Sequence, residues 1–174
     1  MCIRDRAHAV AQGLDCRLAI AGWMADEARS ETENLARKLG MEKRVRISGR
    51  YSQQEAPAIY GAADCYVMMK HNDPCPNTVL EALACGLPVV YSNSGGVAEL
   101  VGSEAGVPVD CGQSWERNLV PDPEAIGTAM IKAASLREAM GRAARERAVA
   151  RFAIEHWIAR HEQVFQRLLS GEAP

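Results

Sequence analysis

A chain of 174 residues can bury one sizeable core, and its 20 Lys and Arg against 22 Asp and Glu leave a net charge of −2. That balance excludes a nucleic-acid surface built on bulk positive charge. The six cysteines form no C-x-x-C pair and no His/Cys cluster at metal-ligand spacing, so they predict neither a metal site nor a disulfide framework; a reducing, cytoplasmic setting is the simplest account. No apolar run is long enough to cross a bilayer, and the charged N-terminus lacks the apolar stretch of a secretion signal.

In chain order, Met1 to Arg6 (MCIRDR) looks like translated adapter sequence. Residues 1–6 are therefore expected to be a non-native leader, with natural residues from about Ala7 and more chain upstream. The other reading is a genuine start with a helix over Asp5 to Gln12. Arg17 to Ala21 is an apolar run stopped by Gly22, hence a buried strand and a tight turn. Asp26 is placed to cap a helix that passes Leu35 and Leu39 and stops at Gly40. Val45 to Ser48 alternates and ends at Gly49 as a second strand. Ser52-Gln-Gln-Glu55 has the form of a capping box and predicts a helix ending near Gly61. Asp64 to Met69 is a third strand, and Cys65, like Cys85, reads as a small buried hydrophobe.

Pro76 suits the first turn of the next helix, which carries Val79, Leu80, Leu83 and Ala84 and ends at Gly86. Pro88 to Tyr91 and Gly106 to Val109 are strands four and five. Gly112 to Pro121 is a long polar loop. Asp122 caps a helix with Pro123 at its first position, and further helices run from Leu136 to Ala150 and from Ile154 to Leu169. The arginines between Arg137 and Arg151 read as a solvated helix face. Strands alternating with helices predict an α/β fold with an open parallel sheet covered on both faces, as one Rossmann-like domain over residues 7–174 closed by helices over 136–170.

The chemistry concentrates in Asp73 to Glu99. Open parallel sheets bind ligands outside the carboxyl ends of their strands, where loops and helix N-termini meet. Free N–H groups of Asn77, Thr78 and Val79 at a helix start suit a phosphate or diphosphate. Asn77 and Glu81, four apart, share a helix face, and Asp73 lies in the loop before it. Carboxylates there accept from sugar hydroxyls, although the helix dipole alone favours acids at this place by about 0.3–1 kcal/mol. Gly95 and Gly96 follow a strand, where absent side chains permit close backbone approach to a ligand or simply a tight turn. Lys70 and His71 follow the third strand on the same edge: a cation to balance phosphate and a donor or acid, or ordinary solvated loop residues. Gly49 and Arg50 are placed to line a nucleobase slot. His8, His156 and His161 lie on helical stretches.

These residues resemble the C-terminal half of family 4 glycosyltransferases, also called glycosyltransferase group 1. The resemblance rests on Leu18-Ala-Ile-Ala-Gly22, Val45-Arg-Ile-Ser-Gly49, Tyr60-Gly-Ala-Ala-Asp64, the long run from Asp73 through Glu81 and Gly86 to Val90, Gly95-Gly-Val-Ala-Glu99, and Arg142-Ala-Ala-Arg-Glu followed by Phe152. It implies the GT-B architecture, two Rossmann-like domains across a cleft, of which this one holds a nucleotide diphosphate sugar such as a UDP-, GDP- or ADP-sugar.

By that resemblance Glu81 contacts the donor ribose, Asp73 contacts the transferred sugar and is the catalytic residue, and the amides of Asn77 and Thr78 hold the diphosphate. Gly49 and Arg50 lie near the base. Transfer is expected to retain anomeric configuration and to need no cofactor and no metal. The acceptor domain is expected upstream, and with it any contact with a membrane surface. Two departures stand out: Asp73 is one methylene shorter than the usual Glu, and Pro76 replaces a Gly and removes an amide donor. The family's phosphate-binding Arg and Lys have no counterpart in this chain. The alternatives are a non-catalytic Rossmann-like binding module and a GT-B sugar-nucleotide epimerase; a phosphorylase would need a pyridoxal-phosphate lysine, for which there is no pattern.

Overall fold

The computed structural model describes residues 3–171. Met1 and Cys2, both in the stretch read as a leader, lie outside the described residues. In chain order the elements are α1 (Arg4–Ala11), β1 (Leu18–Ala21), α2 (Asp26–Lys38), a 3-10 turn (Glu42–Arg44), β2 (Val45–Ser48), α3 (Ala56–Gly61), β3 (Tyr66–Met68), α4 (Asn77–Ala84), β4 (Val89–Ser92), α5 (Val97–Val101), β5 (Gly106–Val109), α6 (Pro123–Ser135), α7 (Arg137–Phe152) and α8 (Ile154–Ser170). Every strand pairing is parallel. Each crossover therefore carries a helix or turn across a face, which is what the alternating sequence pattern predicted.

The strands form two ladders rather than one. β1 pairs with β2, Leu18 opposite Val45, while β4 lies between β3 and β5, with Val89 opposite both Tyr66 and Gly106. The second ladder holds the core. All four residues of β4 are buried. Its side chains alternate between faces with the strand period of two. Val89 and Tyr91 pack with Val79, Ala82 and Leu83 of α4, Val97 and Val101 of α5, and Ala144 and Ala148 of α7. Val90 faces the other way, into Ala9 of α1 and Ile126, Ala129 and Met130 of α6. A third, smaller cluster of Ile3, Leu18, Ala36 and Met41 sits under the β1–β2 ladder.

Several local expectations change on packing. Asp122 caps α6 as predicted, accepting from Ala125 N at 3.1 Å. Asp26 does not cap α2; Ala25 is the cap residue and Asp26 falls in the first turn, where its charge meets the helix dipole. The capping box is half made. The Glu55 carboxylate accepts from Ser52 N and Ser52 Oγ, both at 2.7 Å, so the hydroxyl is used as a donor and α3 begins only at Ala56. Cys85 is exposed, not buried, because it is the C-cap of α4.

The arginines of α7 do more than solvate it. Arg145 donates to the Ala84 carbonyl at 2.6 Å. Arg147 donates to the carbonyls of Leu100 and Glu99, each at 2.6 Å. They satisfy the orphan carbonyls at the ends of α4 and α5, the two helices whose starts face the strand ends. Ile3, which precedes α1, and Asp5 and Arg6 within it are buried, and the helix lies so close to α6 that a Cβ on Gly127 would stand 2.7 Å from the Asp5 carbonyl. No helix among the described residues is long and apolar enough to cross a membrane.

Candidate functional site

The loops leaving β3, β4 and β5 are bonded into one unit. After β3 the chain turns sharply at Asn72, whose φ of 53° is the one positive value at a non-glycine among the described residues. Asn is among the residues that tolerate this conformation best. Asn72 N donates to Ser94 Oγ at 3.1 Å, and Ser94 Oγ lies 2.9 Å from Ser92 Oγ. Both serines are buried, and their hydroxyls are satisfied by each other, by the Asn72 amide from the loop after β3 and by Cys111 Sγ, 3.1 Å from Ser92 Oγ, after β5, as buried polar groups must be.

The double glycine completes this clamp. Gly95 has φ 65°, and a Cβ there would lie 2.5 Å from the Asp73 carbonyl; on Gly96 it would lie 1.9 Å from the Pro74 carbonyl. Gly96 N donates to Asp73 O at 2.9 Å. The close approach foreseen for Gly95 and Gly96 is thus made by the protein's own Asp73–Pro74 backbone, and the Gly96 amide is already engaged.

Asp73 itself is held from both sides. Oδ1 accepts from Cys75 N at 3.2 Å. Oδ2 pairs with Lys70 Nζ at 2.9 Å, with 12% of the Asp73 side chain exposed against 70% for Lys70. Lys70 is solvent-facing as expected, but it stands next to the acid. His71 departs from expectation: it is buried, at 8% exposure.

α4 begins where the acidic loop ends. Pro76 is its N-cap, one residue before the position predicted, with an extended ψ of 115° and no side-chain cap. Val79 N donates to Pro76 O at 3.0 Å, so Val79, expected to offer a free amide, does not; the tight first turn closes on the proline carbonyl. Asn77 and Thr78 remain at the open start, with the positive end of the helix dipole. Glu81 projects one turn on and accepts from Tyr60 Oη at 2.9 Å. Burial first, and then the bond to Glu81, push the Tyr60 phenol well above its ordinary range, which keeps it a donor. Its ring is set edge-on to Tyr66 at 5.9 Å.

A second group gathers at the ends of β1 and β2. Gly22 N donates to Gly49 O at 3.1 Å, tying the two loops at their first residues. The Arg50 guanidinium lies 6.0 Å from the ring centroid of Trp23, and Trp23 is 70% exposed. Tyr51, next along, packs on the cluster that contains Tyr60, Val79 and Tyr66, so this loop leads toward Glu81. Sequence reasoning missed Trp23, Tyr60 and Ser94. The signal for Trp23 was present, an aromatic directly after a strand-ending glycine. For Tyr60 and Ser94 there was none, since their partners are set by tertiary packing. No group of three His, Cys, Asp or Glu among the described residues is placed to hold a metal ion.

A two-loop clamp thus holds an acidic loop against a helix start with a carboxylate one turn on, and one comparison settles the family. The model for glycosyl transferases group 1 matches residues 6–147. The chain belongs to that family. It is 33% identical over 84 residues to a mannosylfructose-phosphate synthase of Agrobacterium fabrum, covering 46% of this chain and 18% of that protein. It is 36% identical over 112 residues to a D-inositol 3-phosphate glycosyltransferase of Corynebacterium efficiens, covering 59% of this chain and 26% of that protein. The chain thus spans about a fifth to a quarter of the length of these relatives.

Among solved structures, a sucrose-phosphate synthase from Thermosynechococcus elongatus superposes with a TM-score of 0.79 at 24% identity, covering 98% of this chain and 43% of that one. Anabaena HepE in complex with UDP superposes with a TM-score of 0.72 at 23% identity, covering 95% and 44%. These likenesses establish the fold: the chain is a Rossmann-like α/β domain of the GT-B glycosyltransferases.

Proposed function

We propose that this domain binds a nucleotide diphosphate sugar and is the donor-binding half of a glycosyltransferase that moves the sugar, with retention, to a hydroxyl acceptor. The observation that carries the reading is the start of α4, where the open amides of Asn77 and Thr78 lie between two held carboxylates, Asp73 before the helix and Glu81 one turn into it. Amides and dipole suit the diphosphate, and their stabilisation of the leaving group needs no resident metal in this reading. Glu81 accepts from the ribose hydroxyls, and Asp73 from the transferred sugar. Lys70 offsets the charge of Asp73. Gly49 and Arg50 border the base, with Trp23 as a flat surface beside them. Gly95 and Gly96 serve by holding the Asp73 loop in place.

Two similar structures, HepE with UDP and HepE with UDP-glucose, support the class of donor. The acceptor lies against a further domain. With the cysteines among the described residues left as free thiols, a reducing cytoplasmic location fits best.

Calorimetric titration of the chain with UDP, GDP and ADP, repeated on Glu81→Ala, tests the reading. One nucleotide is expected to bind, with a loss of tenfold or more in the variant, equivalent to about 1.4 kcal/mol. Absence of binding by folded protein refutes a donor site in this chain and leaves a non-catalytic module.

A further inference from the structure

The sheet is broken at its centre. β1 bonds only to β2, and β3 bonds only to β4. Among the described residues no strand pairs with the remaining edge of either. A parallel strand carries N–H and C=O groups on both sides, so each of these edges presents unpaired backbone groups. Both strands are also more open than interior parallel strands. All four residues of β4 are buried, whereas Ala19 of β1 is exposed and Ile20, Tyr66 and Val67 are half-buried. Strands inside a sheet covered on both faces are buried throughout.

Helix α1 spans the break. Its Ala7 and Val10 share a cluster with Leu18 and Ile20 of β1. Its Ala9 shares another with Val67 of β3 and Val90 of β4. One helix of eight residues therefore covers both ladders on the same face. It also leads directly into β1, which makes it the second half of a strand–helix–strand crossover. In such a unit the helix packs over the two parallel strands that it joins. One side of β1 is taken by β2, which is reached through α2. The strand that precedes α1 thus belongs on the other side of β1, toward β3. A strand there completes a doubly wound sheet, in which the first strand is central and the chain winds outward in both directions.

We propose that the break between β1 and β3 is a slot for one extended apolar segment, added in parallel between the two ladders, and that its occupant is the stretch of a longer polypeptide that runs ahead of α1. The length of β4, four residues, sets the span of the slot. Buried on both faces, the occupant is a continuous run of Val, Ile or Leu, not an alternating strand. The relatives hold ample chain to supply it, since this chain spans 18% and 26% of two of them. Main-chain bonds on both sides hold such a strand, so it needs an uninterrupted row of amides. Its carboxyl end emerges on the edge where the loops after β1, β2 and β3 begin. Any gain in nucleotide affinity on filling the slot rests on the donor reading; the binding of the strand does not.

The test is amide hydrogen exchange, read by NMR, on the full chain extended at its N-terminus by Lys-Lys-Val-Ile-Val-Val-Gly. Two matched chains carry a Gly/Ser extension of equal length, or the apolar extension with Pro in place of Ile. The apolar extension is expected to slow exchange in β1 and β3 at least tenfold against the Gly/Ser chain and to leave β2 and β5 at their outer edges unchanged. Pro is expected to abolish the effect. Equal exchange of β1 and β3 in all three chains overturns the proposal. So does protection confined to β2 or β5, or protection that grows with protein concentration, since either marks indiscriminate edge pairing. If the extended chain precipitates, the unextended chain is titrated with the acetylated and amidated peptide of the same sequence. β1 and β3 must then gain protection that the Pro peptide does not give, and its absence overturns the proposal. Protected β1 and β3 without any binding of UDP remove the donor reading and leave the slot standing. UDP binding with unchanged exchange does the reverse.

Discussion

Replacing Gly96 by Ala tests the clamp on which the candidate site depends. The new Cβ would meet the Pro74 carbonyl oxygen at 1.9 Å and its carbon at 2.9 Å. Ordinary contact begins near 3.4 Å, so the loops must part by about 1.5 Å, the difference between 3.4 and 1.9. Both partners are backbone, so no side chain can swing away. Overpacking of this kind costs about 1–3 kcal/mol. The Gly96 N to Asp73 O bond, now 2.9 Å, stretches beyond useful length and adds about 0.5–1.5 kcal/mol. The sum, about 1.5–4.5 kcal/mol, lowers the melting temperature by roughly 3–18 °C for a chain of this size. The same displacement moves Asp73, so UDP affinity falls along with stability. Gly49→Ala is the matched control. Nothing lies within 4 Å of its added Cβ and its backbone is not left-handed, so stability should change by less than about 0.5 kcal/mol. Any loss of nucleotide there reports the base slot alone. A melting temperature for Gly96→Ala within about 2 °C of the parent, with UDP binding intact, refutes the reasoning.

Three further outcomes are expected. Arg147→Ala removes both bonds to the end of α5 and the stack on Phe152 at 5.9 Å, costing about 1–3 kcal/mol in denaturant unfolding; Arg147→Lys should recover little, because an ammonium cannot reach two carbonyls as a planar fork does. Tyr60→Phe deletes the donor to Glu81, costing about 1 kcal/mol of stability and roughly threefold to tenfold in nucleotide affinity by titration; a variant that binds nucleotide as tightly as the parent shows that Tyr60 does not position Glu81. For Glu55, the Ser52 amide and then the Ser52 hydroxyl hold the folded carboxyl below its ordinary 4.5. Its stabilising effect is therefore present above that value and is lost as pH falls through the lower folded value. Unfolding midpoints between about pH 3 and 7 should fall less steeply at the acid end in Glu55→Gln than in the parent.

Elements with strong local signals were legible in the sequence. β2 and β5 match the predicted ranges, and the Asp122–Pro123 start of α6 is as read, because periodicity, capping and proline chemistry act within a few residues. Boundaries shifted where a competing bond exists nearby. Ser52 turned its hydroxyl to Glu55, and Pro76 accepted the Val79 amide, which withdrew Val79 from the site. The split into two ladders was not legible, since neither strand pattern nor turn chemistry says which parallel neighbours bond.

The site shows the same division more sharply. The sequence placed Lys70, Asp73, Asn77, Thr78 and Glu81 on one edge, since they are close in the chain. What holds them came from distant residues: Tyr60, 21 positions before Glu81, and Ser94, 22 positions after Asn72. His71 makes the point most clearly. A histidine after a strand is usually solvated, yet this one is buried, next to an Asn72 that is bonded to the loop after β5 across 42 positions. A loop that local sequence leaves without a partner is thus tied to the loop after β3 by one side-chain bond. The residues that recognise a ligand can be read from local chemistry, but those that preorganise them are set by long-range packing. The most informative substitutions are therefore at Gly96, Tyr60 and Asn72, which touch no ligand in this reading and yet fix the groups that do.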